Sequence, residues 1–246
     1  MRRGRIVAAA LAAIVVAAVV VVVVRARVTA PAAPEQTSAS TSSVLVLTWA
    51  PSLCSVEKSA SGCRSGRVGR LGSSFVLHGL WPQPRSQQYC DISKKDAARA
   101  KRTPLPLPPD LANRLQAMMS DSDVMAAHEW YAHGTCSGVD PAEYFRIATG
   151  LAQQAIVILD PLFDRAAGRQ LTARSIRDAV DAKAGAGTGA RVALVCRGAE
   201  GGGPLVYEVR LSLPPVAQLR SGAPSLAQAL SVGPTVPPGC GQARVP

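Results

Sequence analysis

Histidine is scarce here: three residues in a chain of 246. Three other absences narrow the chemistry. No serine stands in a G-x-S-x-G elbow, so a Ser-His-Asp hydrolase of that type has no support. The six cysteines form no C-x-x-C pair, which argues against zinc ribbons and thioredoxin-like redox chemistry. The zinc helix H-E-x-x-H is also missing, because His128 and His133 are five residues apart. On a helix that spacing is about 500° of rotation and leaves the two rings about 140° apart. No internal repeat is visible. Acidic residues are few as well, 16 against 27 Lys and Arg, for a formal charge of +11. Beyond residue 35 the balance is 22 to 15, or +7. This tilts the choice of partner towards polyanions such as nucleic acid or a membrane surface.

What is present begins with export. Met1 to Arg5 carries three arginines, and Ile6 to Val24 is 19 apolar residues without charge, Pro or Gly. Such a run can span a bilayer core and is longer than the usual centre of a cleaved signal. Arg25 and Arg27 follow it, and small-residue cleavage points occur near Ala30 and Ala33. The charge bias keeps the N-terminus inside and sends the rest across. Residues 1–27 are therefore read as a signal-anchor or signal peptide, 28–43 as a flexible linker and 44–246 as the folded domain. The domain is expected outside the cytoplasm, membrane-anchored or, if the segment is cleaved, secreted. Six cysteines behind an export segment suit disulfides; 15 pairings are open. The expected set is Cys54–Cys63, Cys90–Cys136 and Cys196–Cys240.

Strands are expected at Val44–Trp49, Ser74–Leu80, Arg191–Cys196 and Leu205–Leu213, the last with Leu205, Tyr207, Val209, Leu211 and Leu213 on one side. Helices are expected from Asp110, from Ser122 or Asp123, from Pro141 to about Ile158 behind Asp140, and behind Thr172. Residues 52–73, 82–109 and the last 30 read as loop, irregular chain and extended tail. Strands, then helices, then strands imply an α+β fold with a central antiparallel sheet packed with helices.

All three imidazoles fall in two short segments, Phe75-Val76-Leu77-His78-Gly79-Leu80-Trp81-Pro82 and His128-Glu129-Trp130-Tyr131-Ala132-His133-Gly134-Thr135-Cys136. Singly, His78 reads as a core histidine and His128 as a helix-surface one. Together they suit acid–base work on a phosphate: one imidazole neutral as base, one protonated as acid. RNA carries its own nucleophile, the 2′-hydroxyl, so no catalytic Ser or Cys is needed. A metal-dependent hydrolase using all three histidines is a rival reading.

These two segments resemble the active-site segments of the ribonuclease T2 family, in the same order and about 50 residues apart. Leu47-Thr48-Trp49-Ala50-Pro51-Ser52-Leu53-Cys54 resembles the family's first strand and its exit, and the resemblance covers about residues 44–145. It implies a ribonuclease T2-like fold and cleavage of single-stranded RNA without metal or other cofactor. The expected products are 2′,3′-cyclic phosphates and then 3′-phosphates. By matching position, His133 is the implied base and His78 the implied acid. His128 holds the phosphate and Glu129 assists the charged transition state. Trp81 and Tyr89 resemble the aromatic site for a base, and Gln83 a base-contacting polar residue. Single-stranded RNA is the expected partner, and a monomer the expected state. One departure stands out. The family commonly has Lys just before the second-segment histidine, and here that residue is Ala132. Arg85 is a candidate to replace its charge. The alternative is a catalytically weak or inactive RNA-binding module on the same fold.

Overall fold

A computed structural model describes residues 40–199, 202–220 and 224–246. The apolar run at 6–24 and the linker stretch up to residue 39 lie outside the described residues. Among the described residues no helix is long and apolar enough to cross a membrane.

The described strands are β1 (Ser42–Trp49), β2 (Phe75–Gln83), β3 (Gln170–Thr172), β4 (Val192–Gly198), β5 (Pro204–Leu213) and β6 (Gln242–Arg244). They form one sheet in the order β2-β1-β5-β6-β3, with β4 also paired to β5. Pairing is antiparallel except for the contact between β5 and β6. Central β1 is buried on both faces from Leu45 to Trp49. Leu45, Leu47 and Trp49 face the larger one.

Nine described helices surround the sheet: α1 (Ala50–Val56), α2 (Ser61–Arg64), α3 (Arg67–Arg70), α4 (Lys94–Ala100), α5 (Pro109–Met118), α6 (Ser122–Ala132), α7 (Pro141–Ala166), α8 (Ala173–Ala184) and α9 (Leu226–Val232). Side-chain caps set four of the starts, at Ser93, Asp140, Thr172 and Ser225. Asp140 Oδ1 accepts from Glu143 N–H at 2.9 Å, and Thr172 Oγ1 from Ser175 N–H at 3.0 Å. The long helix α7 runs past Ile158 and through Pro161. Tertiary contacts outweigh the proline there. Phe163 packs at 5.0 Å from Trp49 and 4.6 Å from Phe75 between ring centroids. Asp160 accepts from Ser74 Oγ and Phe75 N–H.

Several sequence expectations need correction. Residues 52–73 are not loop but carry α2, α3 and most of α1, which bury Leu53 and Val68 against Val76 and Tyr207. Helix α4 lies in the stretch read as irregular, and α9 and β6 lie in the expected tail. Strand β2 continues through Gly79 and Pro82 to Gln83; as the sheet's edge it tolerates a proline. Tyr207 leaves the side shared by Val209, Leu211 and Leu213. The register shift opposite Val195 and Cys196 makes Tyr207 the extra residue, and its ring joins the smaller cluster. Disulfides join Cys54 to Cys63, Cys90 to Cys136 and Cys196 to Cys240.

Candidate active site

A bulge in β2 aims the first histidine. Val46 pairs with Gly79 and Leu47 with Leu77, so His78 has no partner of its own on β1. Bulges re-aim side chains in this way. The ring reaches across β1 to β5, where Nδ1 lies 3.2 Å from Oε1 of Glu208. Glu208 is buried, and Arg210 donates Nε–H and Nη2–H to its other oxygen at 2.9 and 2.7 Å. Two residues apart on a strand, Glu208 and Arg210 share one face. Burial alone would lower the pKa of His78. The hydrogen bond to Glu208 and the charges of Glu129 and Glu208 outweigh it, so the pKa is raised and the ring is held towards its protonated form.

Gly79 makes room for the carboxylate of Glu129. A Cβ on Gly79 would lie 1.9 Å from Glu129 Oε2, so any other residue here would displace that carboxylate. Glu129 Oε2 accepts from Trp81 Nε1–H at 2.8 Å. Its other oxygen makes no hydrogen bond and stands 3.8 Å from His78 Nε2 and 3.9 Å from His128 Nε2. Complete burial pushes the acid up to about 7, although His78 and Trp81 pull it down. Tyr144 of α7 locks the strand beneath: its hydroxyl donates to Leu80 O at 2.7 Å and accepts from Leu80 N–H at 3.3 Å. That satisfies both backbone groups on the free edge of β2.

Helix α6 ends at Ala132, and this decides where the second-segment histidines meet. His133 has φ −127° and ψ −47° and turns out of the helix. The 140° separation expected of a continuous helix therefore does not arise. The rings of His128 and His133 are 6.3 Å apart, edge to face. A Cβ on Gly134 would lie 2.3 Å from the Trp130 ring, so the turn needs glycine too. Burial, with the charges of His128, His78 and Lys101, drops His133 to about 3. Burial and Lys101 also lower His128. His133 stacks on Trp81 at 5.1 Å, and His78 meets the same indole edge-on at 5.1 Å. One indole thus touches a protonation-favoured and a neutral imidazole.

The remaining expected residues are placed as follows. Trp81, Gln83, Arg85 and His133 line a pocket of about 140 Å³ with Pro82 and Gln88. Tyr89 is not on its lining. Its N–H donates to Ala132 O at 3.0 Å, and its ring stands 5.7 Å from Lys94 Nζ and 5.6 Å from Lys101 Nζ. The Cys90–Cys136 bridge, one residue on, ties this chain to the turn after His133. His128, Glu129 and His133 bring possible metal-ligand atoms within 4.8 Å of one another. The fixed charge of Lys101, 2.8 Å from His128 Nδ1, opposes a second cation and suits an anion. Sequence reasoning missed Glu208, Arg210 and Lys101. The one available signal was Glu208 and Arg210 as charges two apart inside an apolar strand.

The family model for the "Ribonuclease T2 family" matches residues 41–221. The chain belongs to the ribonuclease T2 family. Among its relatives, Ribonuclease 1 of Arabidopsis thaliana is 29% identical over 139 residues, 54% of this chain and 59% of that one. A ribonuclease of Aeromonas hydrophila is 29% identical over 112 residues, 45% of this chain and 44% of that one. The chain thus spans less than two thirds of the length of either. A crystal structure of an RNase MC1 mutant in complex with 5′-UMP aligns with TM-score 0.50 and 26% identity, covering 70% of this chain and 86% of that one. The α+β fold is the one these family structures share.

Proposed function

We propose that the protein is an endoribonuclease that cleaves single-stranded RNA by acid–base transphosphorylation without metal. It acts through 2′,3′-cyclic phosphates to 3′-phosphates, outside the cytoplasm. The carrying observation is the opposed tuning of two imidazoles on one indole, His78 towards imidazolium and His133 towards neutral imidazole. Family membership and the nucleotide bound in RNase MC1 support the substrate class.

In this reading His133 takes the 2′-hydroxyl proton, and the 2′-oxygen attacks phosphorus. His78 gives its proton to the departing 5′-oxygen. His128 Nε2 faces the phosphoryl oxygens, with Glu129 Oε1 buried behind it, 3.9 Å away. Glu129 assists the charged transition state from behind the rings, through His78 and His128. Hydrolysis of the cyclic phosphate runs the two histidines in reverse: His78 takes the proton from water and His133 returns one to the 2′-oxygen. The pocket beside Trp81 and Gln83 is the proposed base site. Stacking there is tolerant of sequence.

Buried Ala132 is the feature that favours the rival, an RNA-binding module without turnover. Cleavage of RNA by the purified chain in excess EDTA, beside His133→Ala, separates the two. Cyclic phosphate or 3′-phosphate ends that vanish in the variant support the enzyme. Tight RNA binding without cleavage by the folded wild type overturns it.

A further inference from the structure

Transphosphorylation gathers about two negative charges on the phosphoryl oxygens, and a pocket that speeds it supplies positive charge there. Apart from Arg85, on the lining of the pocket beside Trp81, the described cluster is short of it. His128 and His133 are both lowered towards neutrality. His78 surrenders its proton during the step. The guanidinium of Arg210 is committed through two nitrogens to Glu208. Ala132 offers a buried methyl group, and its carbonyl accepts from Tyr89. Among the described residues, the lysine that touches an imidazole of the cluster is Lys101. It sits at the C-cap of α4, whose last turn holds its N–H on Ala97 O, and its Nζ lies 2.8 Å from His128 Nδ1.

An ammonium group only donates, so His128 Nδ1 must accept. The proton of the neutral ring then lies on Nε2, the nitrogen beside Glu129 Oε1. We propose that Lys101 is the positioning residue of the phosphate subsite. It fixes His128 as the Nε2–H tautomer, aims that N–H at the phosphoryl oxygens and leaves its own charge beside them. The phosphate half of this assignment rests on the ribonuclease reading; the tautomer half does not. Tyr89 steadies the arrangement, since its ring flanks Lys101 and its backbone is bonded to the end of α6. The cation thus reaches the site from a helix 27 residues upstream of His128 rather than from the position before His133.

The test compares wild type, Lys101→Met and Lys101→Arg. Imidazole 15N resonances report the His128 tautomer and the fold together, titration with inorganic phosphate reports anion binding, and RNA cleavage gives kcat and KM. The expected result is a Lys101→Met protein with His128 in mixed tautomers, weakened phosphate binding and kcat lower by about 10²-fold, with a much smaller change in KM. Lys101→Arg keeps the Nε2–H tautomer and recovers most of the rate. An unchanged tautomer and unchanged phosphate affinity in a folded Lys101→Met protein overturn the assignment. A wild type that cleaves no RNA, but whose tautomer and phosphate affinity depend on Lys101, supports it and overturns only the ribonuclease reading.

Discussion

Replacing Glu208 by Gln changes one buried charge and almost no volume, yet it should move the alkaline limb of activity. The carboxylate accepts from His78 Nδ1 at 3.2 Å and is itself buried. Its hydrogen bond and charge, together with the charge of Glu129, overcome the burial that would otherwise lower the pKa of His78. A hydrogen bond to a charged group contributes about 1.5–3 kcal/mol. At about 1.4 kcal/mol per unit, that is about 1–2 pH units. With the carboxylate gone, burial wins and Arg210, left without its acceptor, repels the imidazolium further. The descending limb of kcat/KM should therefore move about 1–2 units to lower pH, and the NMR titration of the His78 ring should move with it. The double variant Glu208→Gln/Arg210→Gln removes the stranded cation and should shift less. Stability should respond with a defined sign. The raised His78 pKa contributes stability at low pH that is lost as pH rises through it. The lowered Glu208 pKa contributes stability above the usual carboxylate range that is lost as pH falls through it. An alkaline limb that stays in place in the folded single variant would refute the assignment of Glu208 as the partner that keeps His78 protonated.

Other expectations follow from the same geometry. For the wild type, kcat/KM should rise as pH passes about 3, where His133 loses its proton, and fall above 6.5 as His78 loses its own. A bell-shaped profile in the acidic range supports this, and a profile flat from pH 4 to 9 contradicts it. Gly79→Ala should displace Glu129, cut kcat sharply and cost about 1–3 kcal/mol by urea unfolding. Gly69→Ala, whose added carbon meets nothing within 4 Å, should leave both unchanged. Tyr144→Phe should strand the backbone N–H and C=O of Leu80, destabilising by about 1–3 kcal/mol per group left unpaired. Its measure is the same unfolding curve.

Much of the site was legible because its residues are local. Two segments carry the three imidazoles, Glu129 and Trp81, and the strand and helix that hold them follow from alternation and capping. What escaped is non-local or aperiodic. Glu208 lies 130 residues from His78, and only sheet order, β2-β1-β5, brings them together. Lys101 sits in a basic stretch that reads as irregular chain, with nothing in sequence to mark it as the lysine that turns inward. The convergence of His128 and His133 depends on the helix ending one residue before His133, and Gly134 alone does not fix that position. Helices α2 and α3 are four residues each and contain Gly62, Gly66 at their boundary and Gly69. Burial under the sheet and the Cys54–Cys63 bridge hold them, not intrinsic propensity. Pro161 reads as a helix end, and Phe163 and Asp160 override it through contacts with β1 and β2.

The division of labour between His78 and His133 is tested most directly with an RNA analogue whose 5′-bridging oxygen is sulfur. A thiolate leaves without a proton, so an acid is dispensable and a base is not. On ordinary RNA, His78→Ala and His133→Ala should each lose about 10²–10⁴ in kcat. On the thio substrate His78→Ala should recover to near the wild-type rate while His133→Ala stays impaired. Equal impairment of His78→Ala on both substrates would contradict its role as the acid, and with it the mechanism proposed for this site.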